Sequence, residues 1–97
     1  MMNILVSYDI NTSTPEGRRR LGRIAKICLN YGQRVQNSVY ECYIDSERLL
    51  SMKNDLLGCI EIEEDSIRIY KLGKKNEESV IHYGIKNSFA PNQPLIL

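Results

Sequence analysis

An unbroken run of apolar and β-branched residues lies close to the N-terminus and ends in a single carboxylate. The run extends from Ile4 to Ile10 and carries no charge before Asp9. Because it lacks the alternation of a strand with one solvated face, it predicts a central strand buried on both faces. A carboxylate at the end of such a strand needs an explanation. Asp9 either closes the strand by accepting hydrogen bonds from the turn that follows, or has a chemical role.

A helix is predicted soon after this run. Its start is marked either by a capping box of Ser13 with Glu16 or by Thr14 as N-cap with Pro15 in the first turn. Gly32 is expected to end the helix. Its apolar positions recur at the spacing of one buried stripe, and they are Leu21, Ile24, Ala25, Cys28 and Leu29.

The middle of the chain predicts a pair of strands and a second helix. Residues 34–44 are rich in β-forming side chains but alternate too irregularly for one strand, so we expect two paired segments with a break near Asn37 and Ser38. Asp45 then begins a helix that continues past Gly58 to Glu61. The residues that mostly fall on one face of this helix are Leu49, Leu50, Met52, Lys53, Leu56, Leu57 and Ile60.

The last part of the chain predicts two more strands. Residues 66–72 alternate cleanly after a turn at residues 63–65, and residues 80–83 form a short strand beyond a basic loop at residues 73–76. This order of elements predicts the α+β class. It is the order of a ferredoxin-like βαββαβ sandwich with an extra C-terminal strand and a tail. We expect one domain over residues 1–97, with a core of about residues 1–84.

The second face of such a sheet needs a cover. Five apolar side chains cannot all lie under the helices, namely Val6, Tyr8, Tyr40, Tyr43 and Tyr70. A homodimer that buries this face is therefore the most economical arrangement. The tail, residues 85–97, ends in three consecutive aliphatic residues and is expected to dock, for example as an added strand on a partner.

Composition and charge narrow the classes of protein. The 97 residues are 42% hydrophobic and 26% charged, and no apolar run approaches the roughly 20 residues of a membrane span. No signal-peptide pattern is present, so a cytoplasmic protein without membrane contact is expected. The three cysteines, Cys28, Cys42 and Cys59, have neither zinc nor disulfide spacing and are expected to be buried. A net charge of +1 leaves room only for a local basic patch.

Such a patch is suggested by the first helix. Arg18, Arg19 and Arg20 lie in its first turns, with Arg23 one turn further on. Positive charge is unfavourable there because that end of the helix dipole is already positive. Two explanations stay open. The arginines form a solvated polar face away from the apolar stripe, or they and the free backbone amides bind a phosphate.

The residue types support few kinds of catalytic site. The chain has no Gly-rich phosphate loop, no pair of histidines and no serine with a suitable base, and its one histidine, His82, lies in a predicted edge strand. Asp9 can hold a hard cation such as Mg²⁺, which often takes one or two carboxylates and keeps several waters. A two-fold dimer would supply a second Asp9, and the shared metal could activate water against a phosphodiester.

The sequence also resembles a known family, the CRISPR-associated Cas two proteins, and within it the type I-C branch. The resemblance is carried by four segments, which are residues 6–12 (VSYDINT), 17–21 (GRRRL), 31–42 (YGQRVQNSVYEC) and 65–70 (DSIRIY). They extend over nearly the whole chain in the right order.

This resemblance implies a homodimer that bridges dimers of the CRISPR integrase and holds duplex DNA. It also implies a nuclease activity on DNA or single-stranded RNA that depends on Mg²⁺ or Mn²⁺. Asp9 would be the catalytic residue and metal ligand, one from each protomer, with Tyr8 beside it. The residues implied to bind nucleic acid are Arg18, Arg19, Arg20, Arg23 and Arg34. Tyr40 stands where many relatives carry Phe, and it keeps the aromatic ring.

Three hypotheses follow. The first is a magnesium-dependent endonuclease with Asp9 as metal ligand. The second is a non-catalytic DNA-binding scaffold in which Asp9 is structural and the arginines bind phosphates. The third, a ferredoxin-like sensor of small molecules, has the least support because the chain offers no Gly-rich ligand loop.

Overall fold

The computed structural model describes residues 1–73 and 80–85, which form five strands and two helices. In chain order the elements are β1 (Met2–Asp9), α1 (Pro15–Tyr31), β2 (Gly32–Gln36), β3 (Val39–Ile44), α2 (Ser46–Leu57), β4 (Ser66–Leu72) and β5 (Val80–Gly84). The break predicted at residues 37–38 is confirmed. The docking predicted for the tail falls on residues 86–97, and the predicted basic loop on residues 74–76, all of which lie outside the described residues.

The five strands form one antiparallel sheet in the order β2-β3-β1-β4-β5. Both helices pack on the same face, so the ferredoxin-like α+β fold is confirmed, with β5 as the added strand at one edge. β1 lies at the centre, and its burial on both faces is confirmed only for the middle of the strand, because Asn3 and Asp9 are exposed on the side away from the helices. Ile4 and Val6 are fully buried beneath the helices, and Leu5, on the opposite side, is only 2% exposed.

Alternation along the strands divides their side chains between the helix-covered core and the face away from the helices, here called the second face. Val6, Tyr8 and Tyr40 belong to the core. Tyr43 is 63% exposed, and Tyr70 pairs with Leu5 on the second face. The expectation that these side chains cannot all lie under the helices is therefore confirmed. The homodimer stays a prediction.

Both helices begin where capping chemistry places them. Thr14 is the N-cap of α1 and accepts a hydrogen bond from the Gly17 amide at 3.0 Å, which decides between the two predicted starts. Asp45 caps α2 through the Arg48 amide at 2.8 Å. The expectation that α2 continues to Glu61 is wrong. The helix ends at Leu57, because the chain turns at Gly58 and brings Ile60 back against the core.

The buried stripes of the helices are narrower than their apolar patterns suggested. On α1, Ile24 and Cys28 are fully buried, whereas Leu29 is 54% exposed. On α2, Leu56 is fully buried and Leu50 is 60% exposed. Leu29 and Leu50 each follow a buried residue by one position, which turns the side chain about 100° away from the sheet. Their assignment to the core is therefore wrong.

The cysteines largely behave as apolar core residues. Cys28 and Cys42 are buried thiols, and burial raises the pKa of Cys28 to about 12 and that of Cys42 to about 11. Thiols with such pKa values are poor nucleophiles at neutral pH. Cys59 is partly exposed and packs against the core. Within the described ranges, no helix has the length and apolar character needed to cross a membrane.

We expect Leu56→Ala to lower the free energy of unfolding by about 3 kcal/mol, because it leaves a cavity in the core between α2 and the sheet. Leu50→Ala is the matched control, since it makes the same change on the same helix at an exposed position. It is expected to cost less than about 0.5 kcal/mol. Urea unfolding followed by circular dichroism measures both. Equal losses would contradict the assigned helix face.

Candidate functional site

Asp9 is the last residue of β1, and its side chain is exposed on the second face. Its cross-strand partner on β4 is the short Ser66, which pairs in turn with Gly84 of β5. Tyr8 lies on the core side, because successive residues of a strand point to opposite faces. The two side chains that the resemblance set beside each other therefore lie on opposite sides of the sheet.

A single carboxylate limits the metal ions that Asp9 can hold. Among residues 1–73 and 80–85, no group of three or more His, Cys, Asp or Glu side chains comes together as a ligand set. Zinc sites usually need such a set, whereas Mg²⁺ commonly binds through one or two carboxylates and retains waters. If Asp9 holds a cation, its chemistry suits a hard and largely hydrated one.

The position of Asp9 depends on a buried carboxylate in the loop before β4. Asp65 is fully buried, and its oxygens accept hydrogen bonds from the Asn11 amide at 3.0 Å and the Glu61 amide at 2.9 Å. Arg20 adds an ion pair, with Nε 2.8 Å from Oδ2. Asp65 thus joins the loop that follows Asp9 to the first helix and to the turn that follows the second.

The surroundings of Asp65 favour its charged form. Burial opposes ionisation, but the Arg20 guanidinium and the amides of Glu61 and Asn11 outweigh it and hold the pKa of the carboxyl below its usual value. The same ion pair holds Arg20 in place, and the Arg20 side chain is only 13% exposed. The alternative that made Arg20 part of a solvated face is wrong. It precedes the buried Ile24 by one helical turn and so lies on the same side of α1.

The other arginines of the first helix are exposed. Arg18 donates from Nη1 to the Thr12 carbonyl at 3.2 Å, and Arg19 lies 3.4 Å from the exposed Glu16. Arg23 continues this surface one turn further along. A shallow strip of α1 brings Arg19 and Arg23 together with Lys26, which sequence reasoning missed. The lining residues of this strip are Arg19, Gly22, Arg23, Ala25, Lys26 and Leu29. This basic strip lies on the helix layer.

Arg34 is held by the two core tyrosines at the sheet edge. Its Nη2 and Nε donate to the Tyr40 hydroxyl at 2.8 and 3.1 Å, and its guanidinium lies 5.4 Å from the ring centroid. Tyr8 stacks on Tyr40 at 5.9 Å. Burial, followed by the contact with Tyr40, raises the pKa of Tyr8, so its hydroxyl stays protonated. Tyr8 and Tyr40 therefore hold Arg34 without reaching Asp9.

Comparison with known proteins gives a consistent result. The family described as "CRISPR associated protein Cas2" matches residues 2–80. A protein of Halalkalibacterium halodurans named CRISPR-associated endonuclease Cas2 is 50% identical over 98% of this chain and 99% of its own length. One of Nitratidesulfovibrio vulgaris, named CRISPR-associated endoribonuclease Cas2, is 46% identical over 99% of this chain and 94% of its own. The crystal structure of Streptococcus pyogenes Cas2 at pH 6.5 is similar, with a TM-score of 0.70 and 51% identity over 76% of this chain and 89% of that one.

We expect Asp65→Asn to lower the free energy of unfolding by about 3 kcal/mol at pH 7, because it leaves Arg20 without its carboxylate partner. The lowered pKa of Asp65 determines how the free energy of unfolding depends on pH. The stabilisation is complete above the ordinary Asp pKa of about 3.9 and is lost as the pH falls through the lower folded-state value. Urea unfolding from pH 7 downwards should therefore show the free energies of unfolding of wild type and variant converging in acid.

Glu16→Gln, which breaks an exposed ion pair, is the control with a small expected effect. A constant difference at all pH values would contradict this assignment.

Proposed function

The chain belongs to the CRISPR-associated Cas2 family, and on that premise we propose that it is a CRISPR adaptation protein. In this proposal a homodimer binds duplex DNA and bridges the CRISPR integrase. It also hydrolyses phosphodiester bonds of DNA or RNA with Mg²⁺ or Mn²⁺ held by one Asp9 from each protomer. The observation that carries the proposal is the exposed Asp9 carboxylate at the end of the central strand, on the face away from the helices.

The second face supports the dimer. It presents the exposed side chains of Tyr43 and Leu72 and the partly buried Tyr70. Several apolar side chains exposed on one face of a sheet are a common basis for self-association. A two-fold contact uses the same surface on both copies, so residues near the axis meet their own equivalents. A dimer through this face therefore offers the second carboxylate that one chain lacks.

The described side chains suggest a division of tasks. A bound divalent cation supplies a Lewis acid and a more acidic water. Asp9 holds that cation, while Arg18, Arg19 and Arg23 on the helix layer and Arg34 at the sheet edge bind phosphates. Arg20 acts through Asp65 and is not needed as a phosphate ligand.

Two roles are combined in this proposal, and different observations favour them. The endonuclease and endoribonuclease names of the relatives favour hydrolysis. The basic strip on α1, which needs no metal to attract a nucleic-acid backbone, favours a scaffold. We take the scaffold as the biological role and hydrolysis as an accompanying activity.

We expect Asp9→Asn and Asp9→Ala to lose cleavage of duplex DNA and single-stranded RNA in Mg²⁺, because both remove the anionic ligand. Each should reduce the rate at least about a hundredfold, to the level of wild type in chelator. Glu47→Gln removes an exposed carboxylate from α2 and is the matched control, expected to cleave like wild type. Initial rates on end-labelled substrates measure the effect.

The outcomes separate the two roles. If Asp9→Ala cleaves as well as wild type, the metal site is wrong. If it loses cleavage yet still supports spacer integration with the integrase, hydrolysis is not the biological function. Failure of the wild type to bind DNA or to form a dimer would contradict the scaffold.

We expect Arg23→Gln to weaken duplex DNA binding and to reduce the slope of log affinity against log salt by about one, the loss of one phosphate contact. Arg48→Gln is the control, because Arg48 is engaged with the Tyr31 ring and the Asn30 carbonyl on α1. Fluorescence anisotropy titrations at several salt concentrations measure both. Parallel salt plots for wild type and Arg23→Gln would remove this residue from the interface.

A further inference from the structure

Arg68 lies on the same face of the sheet as Asp9. The register pairs Asp9 with Ser66 and Ser7 with Arg68, so Asp9 and Arg68 are diagonal neighbours on β1 and β4. Diagonal neighbours of this kind are about 7–8 Å apart, within reach of a long side chain. Among the described strand residues of the second face, Arg68 is the only arginine or lysine. The α1 arginines belong to the opposite layer.

The Arg68 side chain is fixed by its neighbour on the edge strand. His82 is its cross-strand partner, and the Arg68 Nε donates to His82 Nδ1 at 3.1 Å. The other ring nitrogen, Nε2, lies 3.0 Å from the Gly84 carbonyl. A guanidinium can only donate and a carbonyl can only accept, so the two contacts fit the tautomer in which Nδ1 accepts and Nε2 donates. The contact with Gly84 thus fixes the imidazole ring, and its Nδ1 holds the arginine.

We propose that Arg68 is a phosphate-binding residue of the Asp9 site and that His82 is the positioning residue that holds its guanidinium. The inference rests on the proposed function, since it names a residue that binds the nucleic acid at that site. A phosphodiester brought to Asp9 needs a positive group on the second face to offset the repulsion between the carboxylate and the phosphate.

The surroundings suit a phosphate at this position. Arginine presents five donors in a planar fork that matches phosphate oxygens, and the contact with His82 uses the Nε donor. In the row of cross-strand pairs next to Arg68, Asp9 pairs with Ser66, and Ser66 pairs in turn with Gly84. No long side chain from β4 or β5 therefore stands between Asp9 and the edge of the sheet in this row.

The first test measures binding without metal, so that cleavage does not enter. Labelled duplex DNA and a labelled single-stranded RNA of the same length are titrated with full-length protein in chelator. We expect Arg68→Gln to lose about tenfold in affinity, the effect of one charge-assisted contact, and Arg68→Lys to lose less because it keeps the charge but not the fork. Arg48→Gln, on the helix layer, should bind like wild type.

Two amide variants of His82 test the positioning role. Asparagine can place an acceptor near the position of Nδ1, so His82→Asn should keep affinity within about twofold. Glutamine can place its amide near Nε2, so His82→Gln keeps the bond to Gly84, loses the one to Arg68, and should bind about fivefold more weakly. Circular dichroism melting confirms that both are folded. Equal affinities of the two variants would overturn the positioning role.

The results distinguish this inference from the function on which it rests. If wild type binds the nucleic acids and Arg23→Gln is weakened while Arg68→Gln is not, the phosphate contact of Arg68 is wrong and the proposed function stands. If wild type binds neither nucleic acid, both the role of Arg68 and the proposed function are wrong. A tenfold loss for Arg68→Gln with rescue by Arg68→Lys supports the inference.

Discussion

The ion pair between Asp65 and Arg20 is the constraint on which the arrangement of this protein depends. The buried carboxylate joins the loop after β1, the first helix and the turn after α2, while the Asp65 carbonyl accepts the Ile85 amide at 2.9 Å. Gly84 adopts a φ of 98°, and a side chain there would collide with that carbonyl. A charge buried in this way must keep its partners, so the segments around it are fixed together.

This constraint determines where charge appears on the surface. Because Arg20 is used inside the molecule, the positive charge of α1 that remains at the surface is carried by Arg18, Arg19, Arg23 and Lys26. Asp9 is on the opposite side of the sheet, since its neighbours in β1 alternate between the two faces. The basic surface of α1 therefore lies on one side of the sheet, and the carboxylate at the end of the eight-residue strand β1 lies on the other. The helix surface proposed to bind phosphates and the carboxylate proposed to hold the metal therefore lie on opposite faces of the sheet.

The elements of the fold could be predicted from the sequence because their signals are local. Alternation in β4, the unbroken apolar run of β1 and the caps at Thr14 and Asp45 depend on residues a few positions apart. The Asp65–Arg20 pair could not be found in this way, since its members are 45 positions apart and an aspartate before a strand is ordinary. The helix faces of Leu29 and Leu50 were assigned wrongly because apolar character alone does not show which of two adjacent positions faces the sheet. The Arg68–His82 contact likewise depends on the pairing of two strands.

The composition of the second face explains why a complete site is expected only between two chains. Among the described strand residues of this face, Asp9 lies at the end of β1 opposite a serine, and the other carboxylate, Glu41, pairs with Leu5 further along the sheet. Mg²⁺ is commonly held by one or two carboxylates together with water, and a phosphodiester repels a lone carboxylate. In the proposed dimer, a second copy facing the first would add a carboxylate for the metal and an arginine for the phosphate. In the proposed dimer, the apolar residues for association and the polar residues for chemistry would share this face, on which His82 of the edge strand holds the Arg68 side chain.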